Sequence, residues 1–230
     1  EEFVGKNNFV KELLKLCPNI TTVLQNINPH DTDVILGSKE YVLYGRGFIS
    51  DTLLGVKFKI SSKSFYQINT QQTEVLYKLA ISKANLSKED NILDAYCGIG
   101  TIGLIASKYV NSLVGVEIVK DAISDARVNA KLNNIGNAEF ICQDAQYYIV
   151  DKKFDVVFVD PPRKGLDINF LNSLLKVKPK KIIYISCDVA TLARDLGLLK
   201  ECYNVESLNC VDMFPHTAHV ETVVGLILKK

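Results

Sequence analysis

Four short segments carry residue types that can do chemistry together. The first is Asp94-Ala95-Tyr96-Cys97-Gly98-Ile99-Gly100-Thr101-Ile102-Gly103, a G-x-G-x-x-G turn headed by an acid. Such a turn seats the pyrophosphate of a dinucleotide such as NAD, or only lets a strand and a helix pack closely. Asp94 weighs against a pyrophosphate, because a carboxylate beside the turn repels it. The same carboxylate attracts an ammonium, and S-adenosylmethionine (SAM) offers a methionyl ammonium, a sulfonium and an adenosine without any phosphate. Glu117, 19 residues after Gly98, can accept both hydroxyls of a ribose, which NAD and SAM share. Asp144 has two readings, a receptor for the adenine amino group or an ordinary helix N-cap.

The second segment is Asp160-Pro161-Pro162-Arg163-Lys164-Gly165. Prolines stop a strand and fix the backbone direction beyond it. The segment is similar to the substrate-facing loop of methyltransferases that act on base nitrogens, where an aromatic residue follows the prolines. Here Arg163 replaces the stacking ring with a cation, which argues against amino-group methylation. The third segment is Ser186-Cys187-Asp188. Most cysteines are simply buried thiols. This one ends a strand, and a helix starting near Ala190 points its positive end at the same rim, which favours a thiolate. The fourth is Asp212–Glu221. Its two histidines, His216 and His219, have no third ligand nearby, so a turn and strand start is preferred and no metal is expected. Glu221 opens an apolar strand, where a lone carboxylate is either satisfied or functional.

These groups need a scaffold that brings distant segments to one rim. Residues 1–70 read as a small α+β domain: a helix near Asn7–Leu16, then strands at Ile20–Ile27, Tyr41–Tyr44 and Leu53–Ile60 between glycine turns. From residue 71 to 230, strands at Asn91–Asp94, Leu113–Glu117, Glu139–Cys142, Asp155–Asp160 and Lys181–Ser186 alternate with helices such as Asp121–Leu132 and Ala190–Leu199. Strands at Val205–Val211 and His219–Leu228 follow. This alternation predicts an α/β, doubly wound parallel sheet, in which ligands sit beyond the carboxyl ends of the strands.

Composition narrows the function classes. With 47% hydrophobic and 23% charged residues, the 230-residue chain is neither disordered nor fibrous. No run of 18 apolar residues and no signal-peptide pattern occurs, so a cytoplasmic protein without a membrane span is expected. The six cysteines form no C-x-x-C pair and read as reduced thiols. The net charge is +1, with 8 basic and 7 acidic residues in 1–70 and 19 of each thereafter, which is no broad nucleic-acid footprint. The absent initial Met suggests a fragment of a longer chain that carries much of any RNA affinity.

A SAM cleft with a rim thiol and a rim carboxylate suits carbon-5 methylation of uracil. Thiolate addition at carbon 6 makes carbon 5 nucleophilic, and a base later removes the carbon-5 proton. The sequence resembles the RNA 5-methyluridine methyltransferase family, through Ser64-Phe65-Tyr66-Gln67-Ile68-Asn69, Asp94–Gly100, Asp160–Gly165, the segment Ser186–Leu196, and Asp212–Glu221. The resemblance implies a Rossmann-like SAM-dependent methyltransferase domain with a mixed, mostly parallel seven-stranded sheet, beside the small α+β domain. It implies Cys187 as nucleophile and Glu221 as base. It places Gln67, Tyr96, Thr101, Glu117, Asp144 and Asp160 on SAM contacts, with Asp94, Gly98 and Gly100 in the turn and Asp160 and Arg163 toward the substrate. Thr101 stands where some members carry Asn, and Val189 where the family usually has Pro. Many members carry an N-terminal TRAM domain and some an iron–sulfur cluster; neither is present in this sequence. The last two segments look closer to the 23S rRNA branch than to the tRNA branch. The expected protein is a monomeric enzyme acting on a flipped uridine in structured RNA, most of all rRNA. The alternatives are a tRNA enzyme, a SAM- and RNA-binding module without turnover, and an NAD enzyme, which Asp94 disfavours.

Overall fold

The computed structural model describes residues 3–29, 35–149 and 152–230; Glu1 and Glu2, which enter the signal-peptide reading, lie outside them. The described residues run α1 (Lys6–Leu16), β1 (Thr22–Ile27), β2 (Lys39–Gly45), β3 (Phe48–Leu53), β4 (Val56–Ser61) and α2 (Thr70–Ala84). Strands and helices then alternate: β5 (Asn91–Ala95), α3 (Thr101–Ala106), β6 (Ser112–Glu117), α4 (Lys120–Leu132), β7 (Ala138–Cys142), α5 (Ala145–Tyr148), β8 (Val156–Val159), α6 (Ile168–Val177), β9 (Lys181–Ser186) and α7 (Val189–Leu199). Strands β10 (Tyr203–Val211) and β11 (Glu221–Leu228) follow. No helix among the described residues is long and apolar enough to cross a membrane.

Seven strands form one sheet in the order β10-β11-β9-β8-β5-β6-β7, with β5 to β9 parallel. Strand β8, Val156-Val157-Phe158-Val159, is buried on both faces, as an inner parallel strand must be. Alternate residues serve the two layers. Ile92, Phe158 and Ile183 pack toward α2, α3 and α4. Leu93, Val157 and Tyr184 pack toward α5, α6 and α7. This is the expected α/β architecture, with α1 and the hairpins β1–β2 and β3–β4 forming the small N-terminal α+β part. The sheet changes direction of winding at β5, between β6 and β8, and a crevice opens there beyond the strand ends.

One strand departs from the parallel pattern with a direct consequence. Strand β11 lies antiparallel between β9 and β10, with Thr222 opposite Ser186. Its first residue, Glu221, therefore reaches the rim where β9 ends in Ser186-Cys187. Every other rim group comes from the end of a strand or the loop after it; only an antiparallel strand can deliver its start to that place.

The expected strand Leu53–Ile60 is β4 from Val56 onward, and its first residues are the end of β3 and the Leu54-Gly55 turn of the β3–β4 hairpin. Leu54 and Gly55 hold φ of 51° and 82°, the two left-handed positions of a two-residue turn. Leucine rarely adopts that conformation, so the usual Asn-Gly or Asp-Gly signal is absent and β3 went unexpected.

The β4 edge facing away from β3 is paired by a helix. Asp125, Asn129 and Asn133, four residues apart on α4, meet Ser61, Lys59 and Lys57, two apart on β4. Asn129 accepts the Lys59 N–H at 2.7 Å and donates to Lys59 O at 3.2 Å. Asn133 does the same for Lys57, at 2.9 and 2.7 Å. Asp125 accepts the Ser61 N–H at 3.0 Å and the Ser64 hydroxyl at 3.1 Å. Side-chain amides thus stand in for a neighbouring strand and close an edge that would otherwise offer free backbone groups. The segment after β4 is held at its far end too, where Asn69 caps α2 and donates to Met213 O at 2.8 Å.

Candidate active site

The strand ends open on one cleft of about 790 Å³. Its wall includes Gln67, Asp94, Tyr96, Gly98, Thr101, Glu117, Asp144, Asp160, Arg163, Cys187 and Glu221. Gly100 is the one expected site residue outside this lining. A Cβ there would lie 2.9 Å from the Phe140 ring, and one on Gly103 would lie 2.8 Å from both Leu113 and Asp94 Oδ2. Gly98 is different: a Cβ would meet nothing within 4 Å, and the residue faces the cleft. The turn therefore serves packing and ligand access at once. Tyr96 just before it has φ of 64°, a strained value for a residue with a side chain, and its ring meets Phe170 edge-on at 5.8 Å.

The end of the cleft near β5 and β6 is acidic. Asp94, 1% exposed, accepts the Gly103 N–H at 2.8 Å. Burial, with Glu117 adding, nonetheless pushes its carboxyl up to about 7. Glu117 is oriented by the Gly98 and Val119 N–H groups, at 3.2 and 2.9 Å. Asp144 caps α5 by accepting the Gln146 N–H at 3.1 Å, so the N-cap reading holds while the residue also lines the cleft. The lysine and arginine of the wall, Arg163 and Lys164, both sit on the loop after β8.

The opposite end brings the thiol and two carboxylates together. Glu221 is 6% exposed and makes no hydrogen bond among the described residues; burial raises its carboxyl, and the Arg163 guanidinium partly offsets this. Asp160 is pushed up to about 8 by burial, then by Glu221 and Asp94. Cys187 corrects the expected thiolate: its thiol is held above the ordinary value by burial, then by Glu221 and Asp160, with Arg163 pulling the other way. The start of α7 is itself capped by Asp188, which accepts the Thr191 N–H at 2.8 Å. Arg163 in turn lies 3.4 Å from His219 Nε2, also on the wall.

Sequence reasoning gave no role to three residues of the Ser186–Leu196 segment. Thr191 Oγ1 donates to Arg163 O at 3.0 Å. Arg194 Nη2 donates to Lys164 O at 3.0 Å and Leu166 O at 3.1 Å. Asp195, 0% exposed, accepts the Leu166 N–H at 2.8 Å, the Tyr184 hydroxyl at 2.7 Å and Arg194 Nε at 2.8 Å. The signal was an acid at a buried helix position, Asp195, beside the exposed Arg194. Phe65 and Phe214 also line the cleft.

A family model described as tRNA (uracil-5-)-methyltransferase matches residues 34–230. An uncharacterised RNA methyltransferase of Staphylococcus aureus is 48% identical over 229 residues, covering 97% of this chain and 51% of its own length. One from Halalkalibacterium halodurans is 45% identical over 235 residues, covering 100% and 51%. The chain thus spans about half the length of these curated relatives. Among solved structures, the Pyrococcus abyssi tRNA (uracil-54, C5)-methyltransferase in complex with S-adenosyl-L-homocysteine is 34% identical, with a TM-score of 0.78 over 91% of this chain and 51% of that one. The tRNA m1G37 methyltransferase of M. jannaschii, 16% identical with a TM-score of 0.67, covering 100% of this chain and 69% of that one, shares the fold. The family description and the Pyrococcus relative both specify tRNA, which overturns the expected placement in the 23S rRNA branch. The physical reason lies in the motif used for it. Within Ser186–Leu196, one of the two segments used, Asp188, Thr191, Arg194 and Asp195 spend their side chains on internal bonds, so these residues shape the cleft and do not tell one RNA from another.

Proposed function

Because the chain belongs to the tRNA (uracil-5-)-methyltransferase family, we propose that it methylates carbon 5 of a uridine in RNA, with SAM as methyl donor and tRNA as the RNA. The observation that carries this reading is the register that seats Glu221 beside the end of β9, next to Cys187 and Asp160. The acidic end of the cleft fits SAM. Asp94 and Glu117 face it, and among the described residues the cleft's lysine and arginine sit on the loop after β8, which suits an ammonium and ribose hydroxyls and opposes a pyrophosphate at this end. Tyr96, Gly98, Thr101 and Gln67 complete that wall, and Asp144, which lines the same cleft, is our candidate for receiving the adenine amino group. When bound, SAM supplies an electrophilic methyl group. Cys187 adds to carbon 6 of the uracil, Arg163 and Asp160 orient the base, and Glu221 takes the carbon-5 proton so that the thiolate can leave.

Nucleoside mass spectrometry of tRNA and rRNA from cells with and without the gene tests the reading. Loss of 5-methyluridine from tRNA is expected; unchanged tRNA with loss in another RNA would reject the tRNA assignment, and unchanged RNA altogether the reaction.

Asp94 gives a second expected outcome. Asp94→Asn should weaken SAM binding by roughly 1.5–3 kcal/mol, the scale of one charge-assisted hydrogen bond. Its carboxyl, at about 7 in the unliganded chain, must lose its proton to hold an ammonium. SAM affinity should therefore fall as pH drops below about 7 and level off above it, and Asp94→Asn should flatten that slope. Calorimetry across pH reads both; a pH-independent affinity in the parent protein removes Asp94 from the ammonium site.

A further inference from the structure

The loop after β8 carries Asp160 and Arg163 into the cleft, yet its own backbone turns away from the sheet and needs something to hold it. Among the described residues, the side-chain hydrogen bonds to its backbone come from α7, the helix that starts two residues after Cys187. Thr191 binds Arg163 O, Arg194 binds Lys164 O and Leu166 O, and Asp195 binds the Leu166 N–H. Gly165 sits between these anchors in the left-handed region, with φ of 74°, and a Cβ there would lie 2.7 Å from both Arg194 Nη2 and Asp195 Oδ2. The loop backbone therefore lies directly against the pair. Asp195 is itself fixed from two sides, by Tyr184 on β9 and by Arg194. A fully buried carboxylate without these donors would be costly, and with all of them it has one orientation.

From this geometry we propose that Asp195, with Arg194 and Thr191, positions the Asp160–Leu166 loop against Cys187, so that nucleophile and base-facing residues move as one piece. None of the three belongs to the cleft lining, so each acts through the loop backbone. The proposal rests on the uridine-methylating reading for its kinetic arm only. Displacing a reacting group by about 1 Å costs on the order of 10²-fold in rate. Asp195→Asn keeps the shape but turns a donor toward Arg194. Thr191→Val removes the hydroxyl at constant shape, and Thr191→Ser restores it.

The kinetic arm measures kcat and KM for SAM on tRNA. Asp195→Asn and Thr191→Val should lower kcat roughly 10- to 100-fold while KM for SAM stays within about twofold, and Thr191→Ser should recover the parent kcat. The second arm needs neither RNA nor SAM: iodoacetamide alkylation of Cys187 across pH, read by peptide mass spectrometry. Moving Asp160 off the thiol should shift the Cys187 profile to lower pH and speed alkylation several-fold at neutral pH. Parent-like kcat and alkylation in a folded Asp195→Asn overturn the proposal. So does a lowered kcat with an unchanged Cys187 profile, which marks a purely structural role. Where Asp195→Asn does not fold, the Thr191 pair decides. Where the parent methylates no RNA, the alkylation arm decides alone, and that failure belongs to the proposed reaction.

Discussion

Cys187→Ala should retain SAM binding and transfer no methyl group to RNA. Carbon 5 of uracil is a weak nucleophile until a thiolate adds at carbon 6, and no other cysteine is positioned to replace this one. Cys97 also lines the cleft, but it is buried in the glycine turn with its thiol pushed well up by burial, then by Asp94 and Glu117. The expected loss matches the removal of a nucleophile elsewhere, on the order of 10⁶-fold. SAM affinity should not move, because the acidic end of the cleft is built from other strands. Labelled-methyl transfer to tRNA, beside calorimetry with SAM, separates the two effects. Turnover at the parent rate would rule out covalent activation in this protein. The raised thiol adds a sign: the parent rate should climb with pH through neutrality as the thiolate fraction grows.

Glu221→Gln should stall one step later. The thiolate still adds and carbon 5 still acquires its methyl, but the carbon-5 proton stays and the Cys187–carbon 6 bond cannot break. A covalent protein–RNA adduct should accumulate while turnover falls about 10²–10⁴-fold, the usual scale for a general base. Glutamine conserves shape, and Glu221 makes no hydrogen bond among the described residues that the change would break. On a denaturing gel with labelled RNA and SAM, a retarded band should appear for Glu221→Gln and vanish when Cys187→Ala is added. Normal turnover without an adduct would leave Glu221 a structural carboxylate. Asp160, pushed up to about 8 and close enough to influence both groups, is the next base to test.

Much of the sheet was legible because parallel strands announce themselves. Runs such as Val156–Val159 and Ile182–Ile185 have no polar face, and acids or cysteine follow them at the rim. Glu221 was legible for the opposite reason, a charge where an apolar strand should begin. The β3–β4 turn was not, since Leu54 takes a conformation that its side chain disfavours. Gly100 matched the motif yet faces Phe140, because a spacing of glycines does not say which of them meets ligand and which meets protein. The carboxylates that raise the Cys187 thiol, Asp160 and Glu221, were not legible beside it because they come from 27 and 34 positions away, while a helix end is local in sequence. Thr191, Arg194 and Asp195 form a clamp only once α7 lies along the loop, a relation that no linear pattern displays.

The amide rungs between α4 and β4 set how the cleft can open. Through Asn129 and Asn133 the hairpin exchanges backbone bonds with a helix of the main sheet, so the two should unfold as one cooperative unit. The Lys57 and Lys59 amides should then exchange with solvent hydrogen nearly as slowly as the sheet core. The wall carrying Phe65 and Gln67 hangs between Asp125 and Met213, which makes it a fixed jaw. Tied at both ends, that wall should move less than an untethered loop. Under the proposed reaction, unstacking of the uridine would then fall to the RNA, so the deformability of the loop around the target should weigh in which uridines are reached; hydrogen exchange at the Lys57 and Lys59 amides checks the premise.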